Sequence, residues 1–323
     1  MSEPPGPPDR PDGSGAGSRE GKPEGKQHEA RDADETGGRG PEAGLFGPDS
    51  VTWRLHAEPL MGVAALRAFL LMGLHPVAMT AFDDYWRHRD LWDRVRRVTE
   101  YTAVTTFGDT TEAMLAASRV RAIHARVNGV LPTGVGYSAE DPQLLAWVHS
   151  CLIASFLEVT TRGGLVLSGA EQDAYIEEQV RAAMLVGLEP DEVPHDRVAL
   201  QDYFRVIKPA LECVPAARHL AARFVALPRP TRLTVAAGHR PDWAGVAGIA
   251  FAALPPWGRR LYALPELPGA AGLTDAATTV GLRALRAWLR GAQAVAPAGR
   301  EEPGVPALRE ESRLKAAPRR SEP

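Results

Sequence analysis

"SAEDPQLLAWVHSCLIASFLEVTTRGG", residues 138–164, decides the fold. Leu145, Val148, Leu152 and Phe156 recur at helical spacing, and the stretch is too long for a strand. Pro142 suits a first helical turn, and Gly163-Gly164 lie past the end. The stretch therefore predicts a long apolar helix with one intruder, His149.

The neighbouring segments follow the same pattern. Residues 59–74 are apolar, and Pro76 opens "PVAMTAFDDYWRHRD". "DLWDRVRRVTEYTAVTTFG" starts at an Asp cap and stops at Gly108. "DTTEAMLAASRVRAIHARVNG" has a Thr/Glu start and runs to Asn128-Gly129. Downstream, "SGAEQDAYIEEQVRAAMLVGL", "DEVPHDRVALQDYFRVIKPALE", "PAARHLAARFVAL", "PDWAGVAGIAFAAL" and "TDAATTVGLRALRAWLRGA" all read as helices. Only "RLTVAA", 232–237, suggests a strand. Alternating strand–helix units are absent, so the expectation is an all-α, multi-helix domain of about ten helices.

The 323 residues allow one large domain or two small ones. Residues 1–44 and 296–323 are rich in Gly, Pro and charge, and nearly free of large apolar side chains. They are expected to be disordered arms around a folded segment at 45–295. A net charge of −3 and a pI of about 6.3 leave no basic excess for nucleic acid. Two cysteines, Cys151 and Cys213, make no disulfide framework and lack metal spacing. "MSEPPGPPDRPDGSG" has no signal-peptide pattern. The longest apolar run, "MGVAALRAFLLMGL", is broken by Arg67 and falls short of the ~20 residues that span a bilayer. A cytoplasmic protein without a transmembrane segment is expected, with peripheral membrane contact left open.

G-x-G-x-x-G after a strand, P-loop, H-E-x-x-H and G-x-S-x-G motifs are absent. The folded segment has one Glu-x-x-His spacing, Glu192 to His195, with Pro194 inside it, which argues against a di-iron bundle. Of the nine histidines, His28 lies in the N-terminal arm. His56, His75, His88, His195, His219 and His239 fall near helix ends or in polar surroundings. His124 and His149 do not. His124 shares a helical stripe with Ala113, Ala116, Ala117, Val120 and Val127, so it needs a hydrogen bond, a charge or a metal as partner. Each taken alone reads as a hydrogen-bonded core histidine. Together, on neighbouring helices, the two also suit a haem pocket with one axial imidazole. Arg94 and Arg97 share a helix face, either solvated or turned inward toward a haem propionate or bound dioxygen.

Four stretches then occur in order: "RVRRVTEYTAVTTFGD" (94–109), "RAIHARVNG" (121–129), "YSAEDPQLLAWVHSCLIASFLE" (137–158) and "LPPWGRRLYAL" (254–264). Together they resemble the MpaB/rubber-oxygenase family, which includes the latex-clearing proteins. The resemblance implies a globin-related α-helical fold holding haem b, and cleavage of isoprenoid double bonds with dioxygen. By order and spacing it puts the proximal iron ligand at His124, with His149 as competitor. The family's distal Arg-x-x-Lys-Thr element would fall on Arg94, Arg97 and Val98. Here arginine stands for the lysine, and Val98 stands where threonine is expected, with Thr99 adjacent. Arginine does not deprotonate, so it cannot serve as a resting-state amine ligand.

Tyr137 and Asp141 are further candidates for positioning the loop or the propionates, the alternative being an ordinary turn and helix cap. Arg260, or Arg259, would approach a propionate or form a surface ion pair. Phe69, Leu71, Trp147 and Phe156 would line a channel for a hydrophobic, isoprenoid or lipid-like substrate. The leading expectation is a haem b-dependent oxygenase. The alternatives are a non-catalytic haem-binding or membrane-peripheral helical module, and a non-haem iron enzyme using His124, His149 and Asp141.

Overall fold

A computed structural model of the protein describes residues 44–86, 91–131, 133–226, 243–263 and 271–295. Twelve α-helices and one two-stranded hairpin occur among them. In chain order they are α1 (Val51–His56), α2 (Met61–Met72), α3 (Pro76–Trp86), α4 (Leu91–Phe107) and α5 (Thr110–His124). The hairpin strands β1 (Asn128–Val130) and β2 (Gly136–Ser138) follow. Then come α6 (Pro142–Arg162), α7 (Gly169–Leu185), α8 (Arg197–Ile207), α9 (Pro215–Ala226), α10 (Trp243–Ala252), α11 (Pro256–Leu261) and α12 (Ala271–Val295).

Most helix starts are written locally. Asp109 and Glu112 form a reciprocal capping box on α5, and Ser168 and Glu171 do the same on α7. Asp196 caps α8 through the Ala199 N–H at 2.7 Å. Helix α1 has a local cap too, Ser50 Oγ accepting from Trp53 N at 3.0 Å, and in addition Glu178 of α7 accepts from the backbone N–H groups of Val51 and Thr52 at 3.1 and 2.7 Å. A distant carboxylate thus satisfies orphan donors that a six-residue helix cannot satisfy itself.

The core is the α2–α6 pair. Every α2 residue from Val63 to Met72 is buried, Arg67 included. On α6 the buried set runs from Leu144 to Thr160. By length and composition α6 could cross a bilayer, but 72% of its most apolar window is buried in the protein. Gly164, at φ +102°, ends the helix in the left-handed conformation that a residue bearing Cβ resists. Helix α12 is fastened to the α1–α2 corner by Glu58, which accepts from Arg286 (2.7 and 2.8 Å) and Arg290 (2.9 Å).

Helices α2 and α3 meet at 108°. Carbonyls in the last turn of α2 find partners from far along the chain: Trp147 Nε1 donates to Met72 O (3.1 Å), and Tyr262 Oη to Leu70 O (2.7 Å). The elbow leaves a concavity at the end of the core pair.

The structure departs from the expected elements in several places. Helix α5 ends at His124, not at Asn128-Gly129, because the chain turns there and pairs Gly129 with Tyr137 across an antiparallel hairpin. That hairpin was not expected. The stretch 191–212 is broken, since Pro194 and Pro209 confine the α-helix to α8 and leave 3₁₀ turns at Pro190–Glu192 and Lys208–Ala210. The strand expected at 232–237 and the arms at 1–43 and 296–323 lie outside the described residues.

Candidate functional site

A cavity of about 170 Å³ occupies the α2–α3 elbow. Its walls come from the end of α2 (Phe69, Met72, Gly73), from α3 (Ala78, Met79, Ala81, Phe82), from the end of α5 (Ile123, His124), from the start of α6 (Leu144, Leu145, Val148), and from Val127, Ala139 and Leu220. Among the described residues of that lining, His124 is the one whose side chain bears nitrogen or oxygen.

The local sequence explains how the half-buried His124 arrives there. The capping box fixes the start of α5, and His124 is its last helical residue. The chain then turns, with Val127 N donating to His124 O at 2.9 Å. Gly129 is required next, because a Cβ there would stand 2.7 Å from Tyr137 Oη and 2.8 Å from its ring. Ala139 N donates to Val127 O at 2.8 Å and closes the hairpin. Asp141 caps α6 through Gln143 N at 2.8 Å, and Pro142 takes the first turn. Residues 124, 127, 139, 144, 145 and 148 all reach the cavity. The hairpin is therefore the device that sets α5 and α6 around it.

The other candidates occupy different places. His149 is buried on α6 but does not line the cavity, since it sits about 100° around the helix from Val148. Burial pushes its imidazole down to about 4, and its Nε2 has no hydrogen-bond partner among the described residues. Asp141 is a helix cap and Tyr137 is the buried residue of the hairpin, so both hold the site's frame rather than its lining. Arg97 is exposed on α4, and the side chain of Arg94 lies outside the described residues.

Two expectations need correction. Arg260 is exposed, whereas its neighbour Arg259 is buried and ties Ala252 O, Leu254 O and Asp275 together. Neither lines the cavity, because α11 presents Arg259 to the α10–α12 contact instead. Of the four channel candidates, Phe69 lines the cavity. Trp147 and Phe156 are core residues, 0% and 4% exposed, and Leu71 turns to the opposite side of α2.

The sequence reading also missed the role of His56. It is buried, with Nδ1 2.7 Å from Thr106 Oγ1 and Nε2 3.2 Å from Tyr175 Oη, and burial pushes it down to about 3. Nothing local announces it, for its partners come from α4 and α7. His75 is a local cap, accepting from Ala78 N at 3.3 Å, and its ring lies 5.9 Å from Trp147.

Among the described residues no three His, Cys, Asp or Glu side chains converge as a metal cage. His124, His149 and Asp141 do not meet. One imidazole in an apolar wall instead suits a cofactor that brings its own equatorial ligands. The donor set therefore fits the axial side of a haem. The space, about 170 Å³, is smaller than the ~300–1,000 Å³ of pockets that enclose a whole ligand.

Fold and cavity together define a helical domain built around one imidazole in an apolar chamber. The chain belongs to the family described as "ER-bound oxygenase mpaB/B'/Rubber oxygenase, catalytic domain", which it matches over residues 53–291. It carries an oxygenase-type catalytic domain. Curated relatives include an uncharacterized protein of Mycobacterium bovis and one of Mycobacterium tuberculosis, each 30% identical over 142 residues. Those matches cover 43% of this chain and 56% of each relative, little more than half its length. No solved structure matches the chain.

Proposed function

We propose that the protein is a haem b-dependent oxygenase that uses dioxygen on a hydrophobic, isoprenoid or lipid-like substrate. The observation that carries this reading is that His124 presents an imidazole to a cavity whose other described lining residues are apolar. A haem bound there would supply dioxygen activation; the protein supplies the ligand, the polarity and the shape. His124, the last residue of α5, would hold the haem iron through its imidazole. Phe69, Phe82 and Leu144 would exclude water and hold hydrocarbon. The α4 arginines would carry the polar duties of the distal side, and a globin-related arrangement follows from the same reading. The non-haem iron alternative has less support, because its three ligands stand apart.

The test is the visible spectrum of protein purified from haem-supplemented cells. A Soret band at about one haem per chain is expected, lost in His124→Ala and kept in His149→Ala. Oxygen uptake with a polyunsaturated substrate then separates an oxygenase from a haem carrier. Absence of the band, or an unchanged spectrum in His124→Ala, would overturn the assignment.

A further inference from the structure

A second cavity, of about 380 Å³, lies between α2, α6, α8 and the start of α11. It is more than twice the size of the first and falls within the range of small-molecule pockets. It uses the opposite face of α2: Arg67 and Leu71 line it, whereas Phe69, Met72 and Gly73 line the first. At 100° per residue these two sets point about 180° apart.

Arg67 is the unusual member. It is 5% exposed and sits mid-helix in the most buried segment of the protein. Its Nε donates to Ala253 O at 2.8 Å, and Nη1 to Ser155 Oγ at 2.7 Å. These two bonds fix the guanidinium plane. Nη2 makes no hydrogen bond to the described residues. Arg67 is part of the cavity lining. Arg67 makes no direct ion pair among the described residues; the carboxylate of Glu158, in the same lining and bonded to Arg162 at 3.1 Å, is the opposite charge that acts on it.

A second cation stands at the mouth. Lys208 is exposed, its Nζ lies 5.5 Å from the Trp257 ring centroid, and it has no carboxylate partner among the described residues. The other basic residues of the lining are committed: Arg197 to Asp173 at 2.7 Å and Arg205 to Asp202 at 3.0 Å. Leu157, Leu200, Phe204 and Trp257 supply apolar wall beside the polar Glu158, Thr161 and Gln201.

We propose that this cavity binds the carboxylate of an amphipathic acid, with Arg67 as the buried anchor, Lys208 as the gate charge, and the apolar body against Phe204 and Trp257. The two cations in one lining complement the negative charge of a carboxylate. The fixed guanidinium is already ordered, which lowers the entropic cost of binding. The proposal stands apart from the haem reading, since the two cavities share no residue.

Calorimetric titration of the full chain with dodecanoate tests it, with dodecanol and dodecyl phosphate as comparators. One dodecanoate per chain is expected, with dodecanol at least tenfold weaker. Lys208→Glu should weaken binding at least tenfold, and Leu200→Trp should abolish it by filling the cavity. Both leave the bonds of Arg67 in place, so they report binding even if Arg67→Met fails to fold. Dodecanol binding as well as dodecanoate, retention of binding in Leu200→Trp, or no binding at all would overturn the site. Tighter binding of dodecyl phosphate would overturn the carboxylate assignment.

Discussion

Gly129 shows what one hydrogen atom in place of a methyl group does. The aromatic ring of Tyr137 lies directly over its Cα, leaving no room for a Cβ. Gly129→Ala must push either the ring or the strand away, and overpacking of this kind costs about 1–3 kcal/mol. The displaced strand also carries the chain on from His124 and Val127. We therefore expect a lower thermal midpoint together with reduced haem loading in Gly129→Ala. Tyr137→Ala in the same background should restore loading, since it removes the clash. If haem loading in the single variant equals that of the parent, the hairpin does not set the cavity.

The H-x-x-V-x-G spacing was legible before the structure, but its physical meaning was not. Periodicity pointed to His124 through its apolar stripe, and that residue does line the cavity. The same logic could not separate Val148 from His149, because adjacent residues on a helix differ by rotation and not by hydropathy. Arg67 was visible only as a break in an apolar run. What fixes its guanidinium is a carbonyl 186 positions away, Ala253 O, which no local pattern announces.

At the scale of elements, most helix starts were readable because caps are local. The ends that were misread depend on distant partners. The three-residue strands β1 and β2 carry too little pattern to announce themselves. Helix α1 needs Glu178, and α12 needs Glu58. Glu58 is 6% exposed and takes three charge-assisted hydrogen bonds from α12. Arg286, whose side chain is 14% exposed, also donates to Gly164 O at 2.7 Å. Removing the carboxylate leaves that guanidinium buried without its counter-charge. Glu58→Ala should cost about 3–5 kcal/mol, read from urea unfolding. Arg290→Ala should cost less than about 1 kcal/mol, because that side chain is 55% exposed. Equal losses in the two variants would contradict this account of how α12 is held.

For the molecule as a whole, the buried histidines predict a pH dependence. Burial lowers His56 to about 3 and His149 to about 4, from 6.5. The unfolded chain therefore binds more protons than the folded one below pH 6.5. Stability is complete above that pH and falls as the solution is acidified toward the folded values. Each group contributes a slope of about 1.4 kcal/mol per pH unit within its window. Urea unfolding at pH 7.5, 6.0 and 5.0 should show this decline before most carboxylates titrate. His149→Leu should remove about half of the slope between pH 6 and 5. A flat profile over that range would show that neither imidazole is held neutral.

The elbow of α2 has a consequence for biosynthesis. Its last carbonyls are satisfied by Trp147 and Tyr262, and the Arg67 guanidinium by Ala253. A ribosome that has released the first half of the chain has made the α2–α3 bend, Trp147 and most of α6, but not Ala253 or Tyr262. The Leu70 carbonyl and the Arg67 Nε must wait for their partners until residues 253–262 emerge. Translation speed through the second half of the message, and chaperone cover during it, therefore bear directly on the yield of a finished cavity.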